Sequence, residues 1–395
     1  MFENLKAQPA DAILRLIAEF QVDTRPQRID LGVGVYRNEK GETPILSSVK
    51  KAEKMLLAEQ DTKTYLGSGG DPVFNEAIQG LIFGANHAQH ERIVTLHTPG
   101  GSGALSVAAG LIMRARRDAT VWVSDPTWAN HVPLLGSAGV PLKTYPYYDT
   151  ASRSIRFDKM MEVLSTVPAG DLVLLHGCCH NPTGMDLDRE QWQQVSQLMV
   201  ERELVPFVDL AYLGFAEGLE EDAYSVRLLF DAVPEMLVAA SCSKNFALYR
   251  DRIGSLSVVG KDRATRDILQ SQAHNIVRTI YSMPPDHGAA IVRRILNNAD
   301  LRKEWIAEVD SMRGRLKSMR SKLVAALAAA APGHDFSHVE RANGLFSFLG
   351  VSEAQVERLK KEFGIYMVGS SRINVAGLTS GNIDYLAQSV AAVLK

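Results

Sequence analysis

The sequence predicts an α/β fold with a mostly parallel sheet flanked by helices. From about residue 93, short apolar runs alternate with longer helical stretches, and each run closes on a polar or glycine-rich tail. Continuous Val, Leu and Ile runs are typical of strands buried in a parallel sheet. The runs are IVTLHTPGGSGA, TVWVSDPTW, DLVLLHGCCHNPTG, LVPFVDLAY and MLVAASCSK. Because the carboxyl ends of parallel strands meet at one edge, we expect their polar tails to lie together.

The two ends of the chain predict a smaller α+β unit. Apolar residues from Ile13 to Phe20 follow a helical pattern, and the glycine-containing segment 29–44 predicts an extended crossover. Between residues 301 and 330, apolar residues recur every three or four positions, which predicts one amphipathic helix of about 45 Å. Strand-like segments and two helices follow Pro332.

The composition predicts a folded protein that binds neither nucleic acid nor membranes. Apolar residues make up 46% of the 395 residues, and 43 Lys and Arg nearly balance 45 Asp and Glu. No apolar run approaches the roughly 20 residues of a membrane-spanning helix. Three cysteines, an odd number, disfavour a secreted disulfide framework, and residues 1–20 lack a signal-peptide pattern. We therefore expect a cytoplasmic protein.

Residues 100–103, Gly-Gly-Ser-Gly, form a candidate phosphate site at the start of a predicted helix. Free backbone N–H groups, a hydroxyl and the positive end of the helix dipole all suit a phosphate. A tight turn before a helix is the alternative, since such turns are common in α/β proteins. A nucleoside triphosphate loop is excluded, because the Gly260-Lys261 pair is followed by Asp262 rather than Ser or Thr.

Asp209 and Lys244 each end one of the predicted strands and are candidates for chemistry. A carboxylate at the end of a buried strand needs a cationic partner or a proton, unless it only caps the following loop. A lysine that acts as a nucleophile needs dry or cationic surroundings, which Arg250 and Arg252 help to supply. A solvated surface lysine is the alternative.

Residues His176 to His180, His-Gly-Cys-Cys-His, raise the possibility of a metal site. Structural zinc sites space their cysteines further apart, and adjacent cysteines on a strand point to opposite faces. We therefore expect no metal.

An anion-binding loop, a buried acid, a lysine and several arginines are thus predicted at one edge of one sheet. A phosphorylated cofactor that reacts with lysine satisfies all of them. Pyridoxal 5′-phosphate needs a phosphate cradle, a lysine and an acid on its ring nitrogen.

The motifs resemble those of the class I aminotransferases of fold type I, specifically the aspartate and aromatic amino-acid aminotransferases. The matching segments span nearly the whole chain in the family's order. They are LGVGVYRNEKGETP, TKTYLGSGG, TPGGSGAL, VWVSDPTWANH, HGCCHNPTG, FVDLAYLGF, SCSKNFALYRDR, VRTIYSMPPDHGA and SRINVAG.

The resemblance implies a catalytic set of Lys244, Asp209 and Tyr212. Lys244 holds the cofactor as a Schiff base and then transfers the substrate proton, while Asp209 pairs with the ring nitrogen. Tyr212 and Asn181 bind the phenolic oxygen, and Trp128 stacks on the ring. The implied cofactor-binding residues are Tyr65, Gly101, Ser102, Gly103, Trp128, Asn181, Asp209, Tyr212, Ser241, Lys244 and Arg252. The phosphate cradle consists of Gly101, Ser102, Ser241 and Arg252, together with Tyr65 from the neighbouring subunit.

The resemblance also implies a substrate site and a homodimer with shared active sites. Arg372 clamps the substrate α-carboxylate, and Arg278 meets a side-chain carboxylate across the dimer interface. The implied substrate-binding residues are Gly34, Trp128, Asn181, Arg278 and Arg372. The expected divisions are an N-terminal arm (1–11), a large cofactor-binding domain (44–311) and a small domain (12–43 with 312–395).

The function expected on this basis is transamination between aromatic or dicarboxylic amino acids and 2-oxoglutarate or oxaloacetate. Alternatives are a narrow aspartate aminotransferase, a lyase or decarboxylase on the same fold, and a regulatory protein that only binds the cofactor. The sequence departs from the family pattern at Leu213, Ala247 and Met283, and Met283 puts strict aspartate specificity in doubt.

Overall fold

A computed structural model describes residues 1–7, 12–84 and 90–395, so residues 8–11 of the expected N-terminal arm lie outside the described part. The strands are β1 (Ile29–Asp30), β2 (Ile93–Pro99), β3 (Val121–Asp125), β4 (Leu142–Pro146), β5 (Tyr148–Asp149), β6 (Ser154–Ile155), β7 (Leu172–His176), β8 (Val205–Leu210), β9 (Met236–Ser241), β10 (Ile253–Val259), β11 (Phe346–Phe348), β12 (Ile365–Tyr366) and β13 (Arg372–Asn374). The α-helices are α1 (Ala12–Val22), α2 (Ser47–Glu59), α3 (Pro72–Phe83), α4 (Gly100–Ala115), α5 (His131–Ser137), α6 (Phe157–Leu164), α7 (Arg189–Glu201), α8 (Leu219–Asp222), α9 (Tyr224–Ala232), α10 (Arg263–Ile280), α11 (Asp286–Asn297), α12 (Ala299–Ala330), α13 (Ser337–Arg341), α14 (Glu353–Phe363) and α15 (Ile383–Leu394). None of the described helices is long and apolar enough to cross a membrane.

A seven-stranded sheet forms the centre of the molecule, in the order β2-β10-β9-β8-β7-β3-β4. Every neighbouring pair is parallel except the two pairs that involve β10. All of the apolar runs that predicted strands lie in this sheet, so the predicted α/β fold is confirmed.

The reversed strand β10 brings distant parts of the chain to the same edge of the sheet. It is antiparallel to both β9 and β2, so β2 again runs in the direction of the parallel strands. Gly254 on β10 lies opposite Ser241 of β9 and Thr98 of β2. A Cβ atom on Gly254 would lie 2.5 Å from the carbonyl carbon of Gly100, so only glycine allows this close approach.

The strands β4 and β10 were not among the predicted runs. Lys143 and Thr144 of β4 are exposed at the edge of the sheet, so this strand lacks a continuous apolar run. Two serines interrupt the apolar pattern of β10, although the whole strand is buried. One of them, Ser257, lies 2.8 Å from Thr95 across the β2 pairing, so a hydrogen bond offsets the cost of burying its hydroxyl.

The two ends of the chain meet in a smaller sheet, where β1 pairs with β12, and β11 pairs with β13 within the C-terminal part. The predicted long helix is confirmed as α12, which packs against α15, α11 and α2. The expected domain boundary between residues 311 and 312 therefore falls inside one continuous helix.

Trp305 of α12 connects this long helix to the loop that follows β9. Its side chain is fully buried, and its ring stacks on Phe246 with centroids 4.4 Å apart. The indole Nε1 donates a hydrogen bond of 2.8 Å to the carbonyl of Asn245. This packing fixes the main chain on the C-terminal side of Lys244.

Replacing Trp305 by alanine should lower the free energy of unfolding by about 3 to 5 kcal/mol, because a large cavity opens and the Asn245 carbonyl loses its donor. Urea unfolding followed by circular dichroism, at fixed protein concentration, measures the change. Val200→Ala on α7, where the side chain is 48% exposed, is the control and should stay within about 0.5 kcal/mol of wild type. Equal losses in the two variants would contradict the proposed packing role.

Candidate active site

Most of the side chains predicted to carry chemistry line one cavity of about 190 Å³ at the carboxyl edge of the large sheet. Those lining it are Gly34, Gly101, Ser102, Trp128, Asn181, Asp209, Tyr212, Ser241, Lys244, Arg252 and Arg372. The expectation that the polar tails of the strands converge is therefore confirmed.

Three predicted residues lie outside this cavity. Gly103 packs inside the first turn of α4, where an added Cβ would lie 2.6 Å from Pro99. Tyr65 is 88% exposed in the segment before α3, and Arg278 is exposed near the end of α10. Within a single chain, these last two side chains therefore do not reach the cavity.

Asp209 is a buried carboxylate in the cavity wall. It lies in β8 directly beside His176 of β7, and its Oδ2 atom is 2.9 Å from Nε2 of His131. Burial raises the pKa of Asp209, but the His131 hydrogen bond and the charges of His131 and Lys244 outweigh it, so the pKa falls below its usual value. The side chain thus has the predicted cationic surroundings, rather than acting as a cap for the next loop.

His131 was missed in the sequence, although it follows Trp128 by three residues in the tail of the same apolar run. It is fully buried as the first residue of α5. Its Nδ1 atom lies 2.8 Å from the Thr127 hydroxyl, which in turn lies 3.2 Å from Nε2 of His176. Burial holds the pKa of His176 well below its ordinary value, which favours the neutral ring. The chain of contacts orients the His131 ring toward Asp209.

Lys244 is partly buried three residues after the end of β9, and its Nζ atom lies 5.0 Å from the centroid of the Tyr212 ring. Burial lowers the pKa of Lys244, the charge of Asp209 opposes this shift and that of Arg252 adds to it, and together they bring the pKa to about 8. The predicted dry and cationic surroundings are present, and the alternative of a solvated surface lysine is wrong. Both arginines named in the prediction are exposed, but only Arg252 lines the cavity.

The start of α4 forms one wall of the cavity and can hold an anion. Its N-cap is Pro99, and no side chain caps the first turn of this 16-residue helix, so its first backbone N–H groups have no side-chain acceptor and can bind an anion. Gly100 has a φ of +71°, and a Cβ there would lie 2.6 Å from a guanidinium nitrogen of Arg252. The hydroxyls of Ser102 and Ser241 line the same cavity, so they add two hydrogen-bond donors to the positive charge of Arg252.

Arg372, the first residue of β13, presents a buried guanidinium to the same cavity. It donates a 2.9 Å hydrogen bond to the carbonyl of Gly32, and its Cζ atom lies 4.3 Å from the centroid of the Phe346 ring. Phe346 in turn packs on Gly34, where a Cβ would lie 2.9 Å from the ring. These contacts orient a planar group that can bind a carboxylate through two hydrogen bonds.

The expectation that adjacent cysteines point apart is wrong. The strand β7 ends at His176, and Cys179 has a φ of 51°, so neither cysteine has strand geometry. Their sulfur atoms and a carboxylate oxygen of Asp222 all lie within 4.8 Å of one another. Asp222 accepts hydrogen bonds from four backbone N–H groups, and His180 bonds to Ser124 and Thr183. The four candidate ligands between His176 and His180 therefore do not form one metal site.

Comparisons with known proteins agree with this geometry. Residues 26–390 match the family model described as aminotransferase class I and II. The chain is 47% identical to the aspartate aminotransferase of Escherichia coli (strain K12) and 45% identical to the aromatic-amino-acid aminotransferase of Paracoccus denitrificans, in each case over 100% of both chains. It superimposes on the crystal structure of an aromatic-amino-acid aminotransferase from Burkholderia pseudomallei, covalently bound to pyridoxal phosphate, with a TM-score of 0.98, 42% identity and complete coverage of both chains. This chain belongs to the class I and II aminotransferase family.

Proposed function

We propose that this aminotransferase moves an amino group from aromatic or dicarboxylic amino acids to 2-oxoglutarate or oxaloacetate, with pyridoxal 5′-phosphate as its cofactor. The observation that carries the proposal is the convergence of Lys244, Asp209 and Arg372 on one cavity that begins at the anion-binding end of α4. This set offers an amine, an acid for a ring nitrogen, a carboxylate clamp and a phosphate cradle.

The residues of the cavity fit the cofactor. Gly101, Ser102, Ser241 and Arg252 would hold its phosphate, and Trp128 would cover its ring. Among the described residues, the buried Oδ1 of Asn181 has no hydrogen-bond partner, so this amide would bind the phenolic oxygen of the cofactor, with Oδ1 accepting from a phenolic O–H or Nδ2 donating to the oxygen.

Tyr212 would contact the same phenolic oxygen. Burial and the nearby Asp209 raise the pKa of Tyr212 above its usual value, so its hydroxyl is neutral and can donate a hydrogen bond.

When bound, pyridoxal phosphate supplies an electron sink that makes the substrate α-proton acidic. Asp209, which stays ionised, keeps a proton on the ring nitrogen, and His131 holds the Asp209 carboxylate in place. Lys244 accepts the proton from the substrate Cα and returns it, since a pKa near 8 leaves part of its amine unprotonated at neutral pH. Arg372 orients the substrate by its α-carboxylate.

We further propose a cytoplasmic homodimer in which Tyr65 and Arg278 complete the cavity of the neighbouring subunit. Both side chains are exposed and lie outside the cavity of their own chain, which supports this role. Leu66, next to Tyr65, donates its N–H to the sulfur of Met283 at 2.9 Å, so the segment carrying Tyr65 contacts the residues that follow α10. The division into an arm (1–11), a large domain (44–311) and a small domain (12–43 with 312–395) is part of the same proposal.

Dual specificity is favoured over a narrow aspartate enzyme by two features of this chain. Ser102, which is small, lines the cavity, and Met283 has a flexible apolar side chain close to the segment of Tyr65. Similar identities to an aspartate enzyme (47%) and an aromatic enzyme (45%) leave the choice to experiment. A lyase or decarboxylase has less support, because Arg278, proposed as a second arginine that binds a side-chain carboxylate, suits transamination with 2-oxo diacids.

Lys244→Ala should abolish both multiple-turnover transamination and the cofactor adduct that borohydride reduction fixes to the protein, since no other amine lines the described part of the cavity. In wild-type apoenzyme, the rate of adduct formation should rise as pH increases through about 8, because the lysine loses its proton there. Lys261→Ala, at an exposed lysine, is the control and should behave as wild type. A reducible adduct in the Lys244→Ala protein would refute the assignment.

A mixture of Lys244→Ala and Arg278→Ala chains should recover activity toward dicarboxylic substrates that neither variant has alone. A hybrid dimer contains one site with both residues, so an equal mixture should reach about a quarter of wild-type activity if subunits exchange at random. Exchange is verified by native mass spectrometry of chains with different tags. Verified exchange without recovery would count against a shared site.

Arg278→Leu should lower kcat/KM for aspartate by a factor that corresponds to about 3 kcal/mol or more, because a desolvated charge pair is lost, while kcat/KM for phenylalanine should not change. Arg263→Leu at the start of the same helix removes an exposed arginine and should change kcat/KM for neither substrate.

In the wild type, kcat/KM for phenylalanine and tyrosine should lie within about a thousandfold of that for aspartate, a gap of roughly 4 kcal/mol. A larger gap would leave the aspartate-only function standing.

A further inference from the structure

Arg320 of α12 is among the largest fully buried side chains, at 1% exposure. Its guanidinium donates to the carbonyls of Val339, Asn343, Gly344 and Phe346, at distances between 2.8 and 3.1 Å. All of these acceptors belong to the main chain of residues 339–346. One side chain thus holds the segment that leads from α13 into β11.

This arrangement is costly for a cation, which indicates that the position of the segment matters. Burial lowers the pKa of Arg320 to about 10, and its hydrogen bonds in the described structure go to neutral carbonyls rather than to a carboxylate. A buried apolar side chain would avoid that cost but would leave the carbonyls without their donor.

On one side, the held segment contacts the proposed carboxylate clamp. Phe346, whose carbonyl accepts from Arg320, stacks its ring on Arg372 at 4.3 Å. The strand β11 pairs with β13 so that Phe348 lies opposite Arg372. A shift of residues 343–346 would therefore move the face on which the Arg372 guanidinium rests.

On the other side, the same segment contacts the loop that carries Asn181. The N–H of Asn343 donates to the carbonyl of Gly184 at 2.6 Å, and its side-chain amide donates to Asp186 at 3.1 Å. Asp186 also accepts the backbone N–H groups of Cys179 and His180. Gly184 has a φ of +71°, and a Cβ there would lie 2.3 Å from the Phe346 carbonyl, so the two segments are in direct contact.

We infer that Arg320 is a positioning residue for substrate binding: it holds residues 343–346 so that Phe346 fixes the orientation of the Arg372 guanidinium. The inference rests on the proposed function, since it assigns Arg320 a role in the carboxylate site of that function. Arg320 touches neither the cavity nor any group proposed to react, and it acts through Phe346.

The test compares Arg320→Met, Arg320→Lys and Arg92→Met as holoenzymes. Arg92 is the matched control, because its guanidinium also donates to main-chain carbonyls, those of Phe230, Val233 and Pro234. It lies just before the first residue of β2, whereas the cavity lies at the carboxyl end of that strand. The probe is 3-phenylpropionate, an unreactive monocarboxylate that tests Arg372 without needing Arg278. Its dissociation constant is measured by calorimetry, together with KM and kcat for aspartate and the absorbance of the bound cofactor.

Arg320→Met should weaken 3-phenylpropionate binding and raise KM for aspartate at least tenfold, with a smaller change in kcat and an unaltered cofactor spectrum. Arg320→Lys, which keeps the charge but bonds fewer carbonyls, should fall between Met and wild type. Arg92→Met should lower the melting temperature yet leave binding within twofold. In a Phe346→Leu background, Arg320→Met should weaken binding far less, because the two side chains act in series.

Unchanged binding in Arg320→Met, or equal weakening in Arg92→Met, would overturn the inference. Full additivity with Phe346→Leu would overturn it as well. If Arg320→Met does not fold, wild-type affinity for 3-phenylpropionate in Arg320→Lys would overturn the inference instead. A wild-type protein that neither transaminates nor binds the probe would instead refute the proposed function, so the two failures are distinguishable.

Discussion

The reversal of β10 is the constraint on which the site depends. Because β10 is antiparallel to both neighbours, the carboxyl ends of β2 and β9 reach the same edge of the sheet, although more than 140 residues separate them. The start of α4 then lies beside Ser241 and close to Lys244. If β2 ran in the opposite direction, the anion-binding turn and the lysine would lie at opposite ends of the sheet.

Charge compensation explains how a buried acid and a lysine can share this edge. Asp209 stays ionised because His131 and the charge of Lys244 outweigh the burial penalty, while burial shifts Lys244 toward its neutral amine. The same surroundings therefore move the two groups in the directions that proton transfer needs. The buried guanidinium groups of Arg372 and Arg320 are stabilised differently, by donating hydrogen bonds to main-chain carbonyls. Arg372 also stacks on the ring of Phe346.

Much of the fold and most of the site could be predicted from local sequence patterns. The apolar runs located β2, β3, β7, β8 and β9, and the 3.6-residue periodicity located α12. Strand β10 was missed because two buried serines interrupt its apolar pattern; one of them, Ser257, bonds to Thr95 on the neighbouring strand, which no local pattern reveals. His131 and Arg320 were missed for a related reason: their partners Asp209 and Phe346 lie 78 and 26 residues away along the chain.

By itself, the sequence determined where most of the buried strands lie and which chemistry the residues near their ends offer, because apolar runs mark buried strands and side-chain chemistry is local. Only the tertiary structure decided which of these groups meet. It placed Cys178 and Cys179 side by side where strand geometry had predicted opposite faces, since the backbone turns after His176. It also left Tyr65 and Arg278 outside the cavity of their own chain, because contacts between distant segments depend on how whole elements pack rather than on the residues next to them.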